Sequence, residues 1–226
     1  MKLKMKHSVL ALTLLGAFSA AQATALIINT PTTSVATVAS AFGGTLLAQV
    51  TTNVSNASYN GLATTAVYDT GTGLDFYYQY ANSASAANGV HRMTGYDFSS
   101  LGASAVSVFQ TSAAFGIFTT GTVTSDFADR DAMGVIGFTF APDSSPQINP
   151  GTTSFTQIVR TNARHFHAGN FGLLDGIGDN AQGYAPSVSA VPETETLSML
   201  LVGLGLMGTI IRRRNREALP SDKFVG

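Results

Sequence analysis

The chain has 226 residues and no cysteine, which excludes disulfides, thiolate-held zinc and a thiol nucleophile. Its net charge of −1 hides an uneven layout: between Leu26 and Ala190 there is no lysine or glutamate, and four arginines face nine aspartates, a net −5. A weakly acidic segment without a basic patch argues against binding nucleic acid or anionic lipid.

Residues 1–25 carry the pattern of a secretory signal peptide. Lys2, Lys4 and Lys6 form a basic start, and Val9 to Phe18 is an apolar run too short to span a bilayer. Ala21-Gln22-Ala23 and Ala23-Thr24-Ala25 are both A-x-A patterns, so cleavage after Ala23 and after Ala25 both stand.

Residues 26–185 read as one all-β domain, large enough to build a core without staples. Leu74, Phe76, Tyr78 and Tyr80 alternate with Asp75, Tyr77 and Gln79. Ala105 to Phe109 is rich in β formers. Ile136, Phe138 and Phe140 alternate, as do Phe155, Gln157 and Val159 against Thr156, Ile158 and Arg160. Thr45 to Val54 and Gly61 to Tyr68 are further strands. Turn clusters separate them at Ser55-Asn56, Asp69 to Gly73, Asn82 to Gly89, Gly121 and Pro142 to Gly151. The pattern predicts an antiparallel β-sandwich of jelly-roll-like form. Residues 186–190 read as a small-residue linker.

Several residues in this domain could carry chemistry. His165 and His167, at i and i+2, share one face of a strand and can hold one divalent ion, with Asp175 or Asp179 as a third ligand. The competing reading is two solvent-facing histidines. Asp175-Gly-Ile-Gly-Asp179-Asn180 is oxygen-rich like a calcium loop, but it lacks the spacing and late glutamate of an EF-hand. A plain Gly-rich turn with Asx hydrogen bonds competes with it. Asp126, Asp129 and Asp131 flank Arg130. Two of these carboxylates could serve as the acid pair of a glycosidase, or the segment is a solvated loop with an Arg-Asp pair. Tyr77, Tyr78, Tyr80 and Tyr96 could stack on sugar rings, or fill the core. No cofactor is expected.

Residues 191–216 have three parts in order. Pro192, Glu193 and Thr194 form a short polar motif. Leu197 to Ile211 is apolar and uncharged, and Arg212, Arg213, Arg214 and Arg216 form a basic cluster. As a transmembrane helix, residues 197–211 reach roughly 22 Å at ~1.5 Å per residue, short of a core of about 30 Å. Snorkelling arginines can make up the difference. The positive-inside rule puts residues 217–226 in the cytoplasm and the preceding domain outside it. Gly203, Gly205 and Gly208 spell G-x-G-x-x-G, but no βαβ unit fits around them, so they suit helix packing in the membrane.

At these residues the tail resembles the PEP-CTERM sorting signal. Pro192 and Glu193 match its motif, and Thr194 stands where the family usually has a second proline. The resemblance implies recognition by exosortase, a membrane transpeptidase that removes the tail and releases the protein to the surface. Thr153 to Glu193 is also similar to the last strands of a common PEP-CTERM ectodomain, through Ile158 to Ala163, Asp175-Gly176 and Ala185-Pro186. That second resemblance implies a β-sandwich and no defined activity. Together they imply an exported structural or adhesive protein, associated with exopolysaccharide or biofilm. The alternatives are a carbohydrate-binding module and, less favoured, a glycan hydrolase.

Overall fold

The computed structural model describes residues 24–30, 33–102, 104–140 and 147–187. Residues 1–23, expected to belong to a signal peptide, the loop around Asp143, the expected sorting motif Pro192 to Thr194, the apolar run 197–211 and Arg212 to Arg216 lie outside the described residues. Within them every regular element is a strand, and no helix is long and apolar enough to cross a membrane.

The first sheet is built around β6 (Leu74–Asn82), the strand with the strongest alternation. On one side β6 pairs with β5 (Asn60–Asp69), which pairs with β4 (Thr45–Ser55) at the margin. On the other side it pairs with β11 (Thr156–Thr161), then β8 (Val106–Thr111). The far margin of β8 carries two short pieces, β1 (Thr24–Ala25) and the parallel β3 (Ala36–Thr37). Of the two expected cut positions, the one after Ala23 would keep β1 and the one after Ala25 would remove it.

The second sheet runs from β13 (Ile177–Ser187) through β12 (His165–Asp175), β7 (Arg92–Gly95), β10 (Ile136–Thr139) and β9 (Phe127–Arg130) to β2 (Thr33–Ser34). All its pairings are antiparallel. The segment 177–187 differs from the sequence reading. It is a full strand, in a hairpin of eleven residues per arm, and it runs two residues into the segment read as a linker. Gly176, at φ 66°, makes the tip, a conformation that glycine takes without a Cβ clash.

The two sheets share one core. Leu74, Phe76, Tyr78 and Tyr80 of the first meet Met93, Ile136, Phe138 and Phe171 of the second. The Tyr78 and Phe171 rings lie 5.3 Å apart, and the Tyr78 hydroxyl donates to Tyr184 O across the interface at 2.9 Å. Alternation on β6 is as expected, yet its other face is buried too. Ala66, Tyr68, Tyr77, Phe109, Phe118 and Ile158 form a second cluster there, covered by the segments around Val38 and Phe115. Buried glutamines fasten those covering segments. Gln79 receives the Thr119 amide at 2.9 Å and donates to Thr119 O at 2.7 Å, acting as a strand would. Gln110 does the same for Ser125.

Candidate functional site

Three turns meet at one end of the two sheets. The β4–β5 turn brings Ser58 and Tyr59, the segment after β6 brings Asn88 and His91, and the tip of the β12–β13 hairpin brings Asp175. Asn56 shapes the first turn by accepting the amides of Ser58 and Tyr59, an Asx motif that turns the chain sharply.

Asp175 is the hub. Its Oδ2 accepts the Ser58 hydroxyl at 2.5 Å, and its Oδ1 lies 3.4 Å from His91 Nδ1. Asn88 Nδ2 donates to Ser58 Oγ at 3.1 Å. Beside them the Tyr59 hydroxyl donates to Leu173 O at 2.8 Å. Burial, reinforced by the nearby Asp179 and Asp175 charges, pushes the Tyr59 phenol up and keeps it a donor.

The order of the three groups decides what they can do. An activated serine needs its hydroxyl against a base, with a third group orienting that base. Here the carboxylate stands between serine and histidine, so the Ser58 proton points at Asp175 and His91 makes no contact with Ser58. The geometry ties three loops together and does not set up acyl transfer.

A cleft of about 690 Å³ opens beside the β4–β5 turn, lined by Asn53, Ser55, Asn60, Leu62, Ser83 and Ser85 among others. Its lining includes no carboxylate, no imidazole and no aromatic ring.

The residues singled out from the sequence are placed differently. His165 and His167 are exposed on β12, and His167 Nε2 faces Asp97 Oδ2 at 3.2 Å. Asp175 is turned to Ser58 and His91, so it supplies no third ligand to that pair. Asp179 caps its own neighbour, accepting the Asn180 amide at 2.8 Å. Among the described residues no three histidines or acids gather as a metal site needs. The calcium-loop reading gives way to a plain hairpin, because Leu173 to Asp175 pair with Ile177 to Asp179 in continuous register.

The segment 126–131 is a correction. It is not a solvated loop with an Arg-Asp pair. Phe127 to Arg130 form a strand paired on both sides, and alternation drives Arg130 into the interior, where it is 1% exposed. Its guanidinium donates to Phe98 O, Leu101 O and Gly102 O at 2.6–3.1 Å. Burial lowers its pKa. Asp129 points the other way, into a two-pronged pair with Arg92 at 2.8 and 2.9 Å. Arg92 reaches it across β10 at Gly137, where a Cβ would collide with the guanidinium. Asp131 accepts the amides of Met133 and Val135. Asp129 is thus engaged by Arg92 and is not a free carboxylate to act with Asp126.

Three of the tyrosines take the second of their two readings and fill the core. Tyr77, Tyr78 and Tyr80 are at most 1% exposed and present no ring to a sugar. Burial pushes all three phenols up. Tyr96 is half-buried. Sequence reading missed Ser58 and His91, which belong to no motif and come together only through the fold. The Asp175-Gly176 turn was the one legible part of this cluster. No family model matches the chain, and comparison with curated proteins and with solved structures finds no similar one.

Proposed function

We propose that the chain is an exported surface or extracellular-matrix protein, sorted by exosortase through its tail, with a β-sandwich ectodomain of jelly-roll-like form. The observation that carries this reading is the order Pro192-Glu193, uncharged run 197–211, Arg212 to Arg216, behind a domain without lysine or glutamate. Two sheets around a common core support the sandwich form.

Its role is structural or adhesive, in association with exopolysaccharide. The cleft beside the β4–β5 turn offers amides and hydroxyls but neither a carboxylate pair nor a stacking ring, so it favours weak polar contact over hydrolysis.

Sorting and simple anchoring both need the apolar run and the arginines. Only sorting needs Pro192 and Glu193. Proline interrupts a helix upstream of itself and leaves an extended, accessible segment outside the bilayer. The expected result is that Pro192→Ala with Glu193→Ala holds the full-length protein in the inner membrane, as does loss of the exosortase. Wild type should appear outside, with an intact mass lacking the arginines. Shedding and trimming of the double variant like wild type would overturn sorting. Retention of Arg212 to Gly226 by wild type would reduce the tail to an anchor.

A further inference from the structure

The sheet margins are protected unequally. β1, β3 and β2 are two residues each, too short to template another strand. β13 carries Gly178, Asp179, Gly183 and Pro186, which interrupt or charge its margin. β4 has eleven residues, TLLAQVTTNVS, with no charge, glycine or proline. Among the described residues it pairs only with β5; β13 comes near it but exchanges no backbone bonds. Half of its backbone groups therefore face outward.

β4 also overhangs the core. Val54 is 4% exposed and belongs to the core, while Ala48, Val50 and Thr52, on the same face, are only half-buried. A bulge at Leu47 breaks the register with β5, leaving Ala48 to Ser55 as the regular run.

We propose that β4 pairs antiparallel with β4 of a second copy of this chain, joining the two first sheets into one. Charge selects the occupant. A partner chosen electrostatically would find nothing on this strand to complement, whereas an uncharged, β-branched strand meets itself without repulsion. The pleat then sets the register. Both copies must keep their cores on the same side, so inward residues face inward residues and the two-fold passes through a residue, not between two. The centre of the regular run falls between Thr51 and Thr52, and the two-fold is placed at Thr51 because that register matches Gln49 with Asn53. Thr51 then faces Thr51, Gln49 faces Asn53, Val50 faces Thr52 and Ala48 faces Val54. The outer row is polar and amide-matched, and the inner row covers the half-buried overhang. Pairing over this run makes about six backbone hydrogen bonds, toward the low side of the roughly ten of an ordinary interface. The inference is independent of the sorting reading.

The natural absence of cysteine provides the test. Full-length Thr51→Cys, oxidised with copper phenanthroline, should run as a covalent species of twice the monomer mass, since directly opposed strand residues lie near disulfide range. Gln182→Cys, exposed on the β13 margin, should stay monomeric. Adding Gln49→Lys and Asn53→Lys to Thr51→Cys sets like charges across the two-fold and should abolish the dimer. A monomeric Thr51→Cys overturns the proposal, as does equal cross-linking of Gln182→Cys or a dimer that survives the two lysines.

Discussion

Arg160 stands directly opposite Asp75 on the β11–β6 ladder and takes both carboxylate oxygens, Nε to Oδ1 at 3.0 Å and Nη2 to Oδ2 at 2.8 Å. The carboxylate is sealed, with 0% of its side chain exposed, while Arg160 is 35% exposed and lies 3.8 Å over the Phe42 ring. The pair thus sits beneath the segment that covers the outer face of the first sheet.

Removing one partner should cost much more than removing both. Arg160→Ala strands a buried carboxylate and should destabilise by about 3 kcal/mol, the low end for a broken buried pair because water can enter from the arginine side. Asp75→Leu with Arg160→Met should recover most of that loss. Urea melts check this, and a double variant no more stable than Arg160→Ala would refute it.

The same pair makes a pH prediction. Burial pushes the Asp75 carboxyl up from its usual 3.8, outweighing the pull of Arg160, whose own pKa the pair raises. A carboxyl that holds its proton more tightly when folded favours the fold below 3.8 and loses that contribution as pH rises through its folded value. Asp75→Asn should therefore gain stability relative to wild type as pH rises from below 3.8. The opposite trend in melts across that range would mean that pairing outweighs burial.

Arg130→Met should be among the most damaging single changes in the second sheet. It removes three hydrogen bonds to the carbonyls of Phe98, Leu101 and Gly102 and leaves buried acceptors unpaired, at about 1–3 kcal/mol each when fully desolvated. Hydrogen exchange should rise first in residues 98–102. Unchanged exchange there would show that the carbonyls find water instead.

His165→Ala with His167→Ala should change stability by no more than ~0.5 kcal/mol, because both side chains are exposed and their one hydrogen bond among the described residues, to Asp97, is a surface pair. Added zinc should raise the melting temperature of neither form. Zinc stabilisation that disappears in the variant would restore the metal reading.

The strands that sequence made legible are those whose alternating apolar residues or β formers mark the shared core, 74–82, 136–139 and 156–161, although 74–82 and 156–161 bury their other face as well. What stayed hidden follows from burial on both faces. Arg130 looked like a surface charge because its partners are backbone carbonyls, which leave no trace in side-chain pattern. The burial of Tyr77 was hidden because a second apolar cluster, drawn from distant loops, covers the outer face of β6. In the hairpin 165–187 the two histidines read as strand, but 175–180 reads equally as a calcium loop or Gly-rich turn and 186–187 as linker, because glycine, alanine and asparagine dominate there and carry little β propensity.

That hairpin also decides how the domain bears load. Ser187 pairs with His165 at the open end of the ladder, eleven residues from the Gly176 tip. Tension applied through the residues that follow Ser187 reaches the rungs one after another, starting at His165–Ser187, and does not load them all at once. The first side-chain catch it meets is Tyr184, whose carbonyl holds the Tyr78 hydroxyl of the facing sheet. Mechanically the domain is a zip fastener whose first inter-sheet latch is the Tyr78–Tyr184 bond, with those of Ser58 and Tyr59 waiting near the tip, and β13 is the part that peels first.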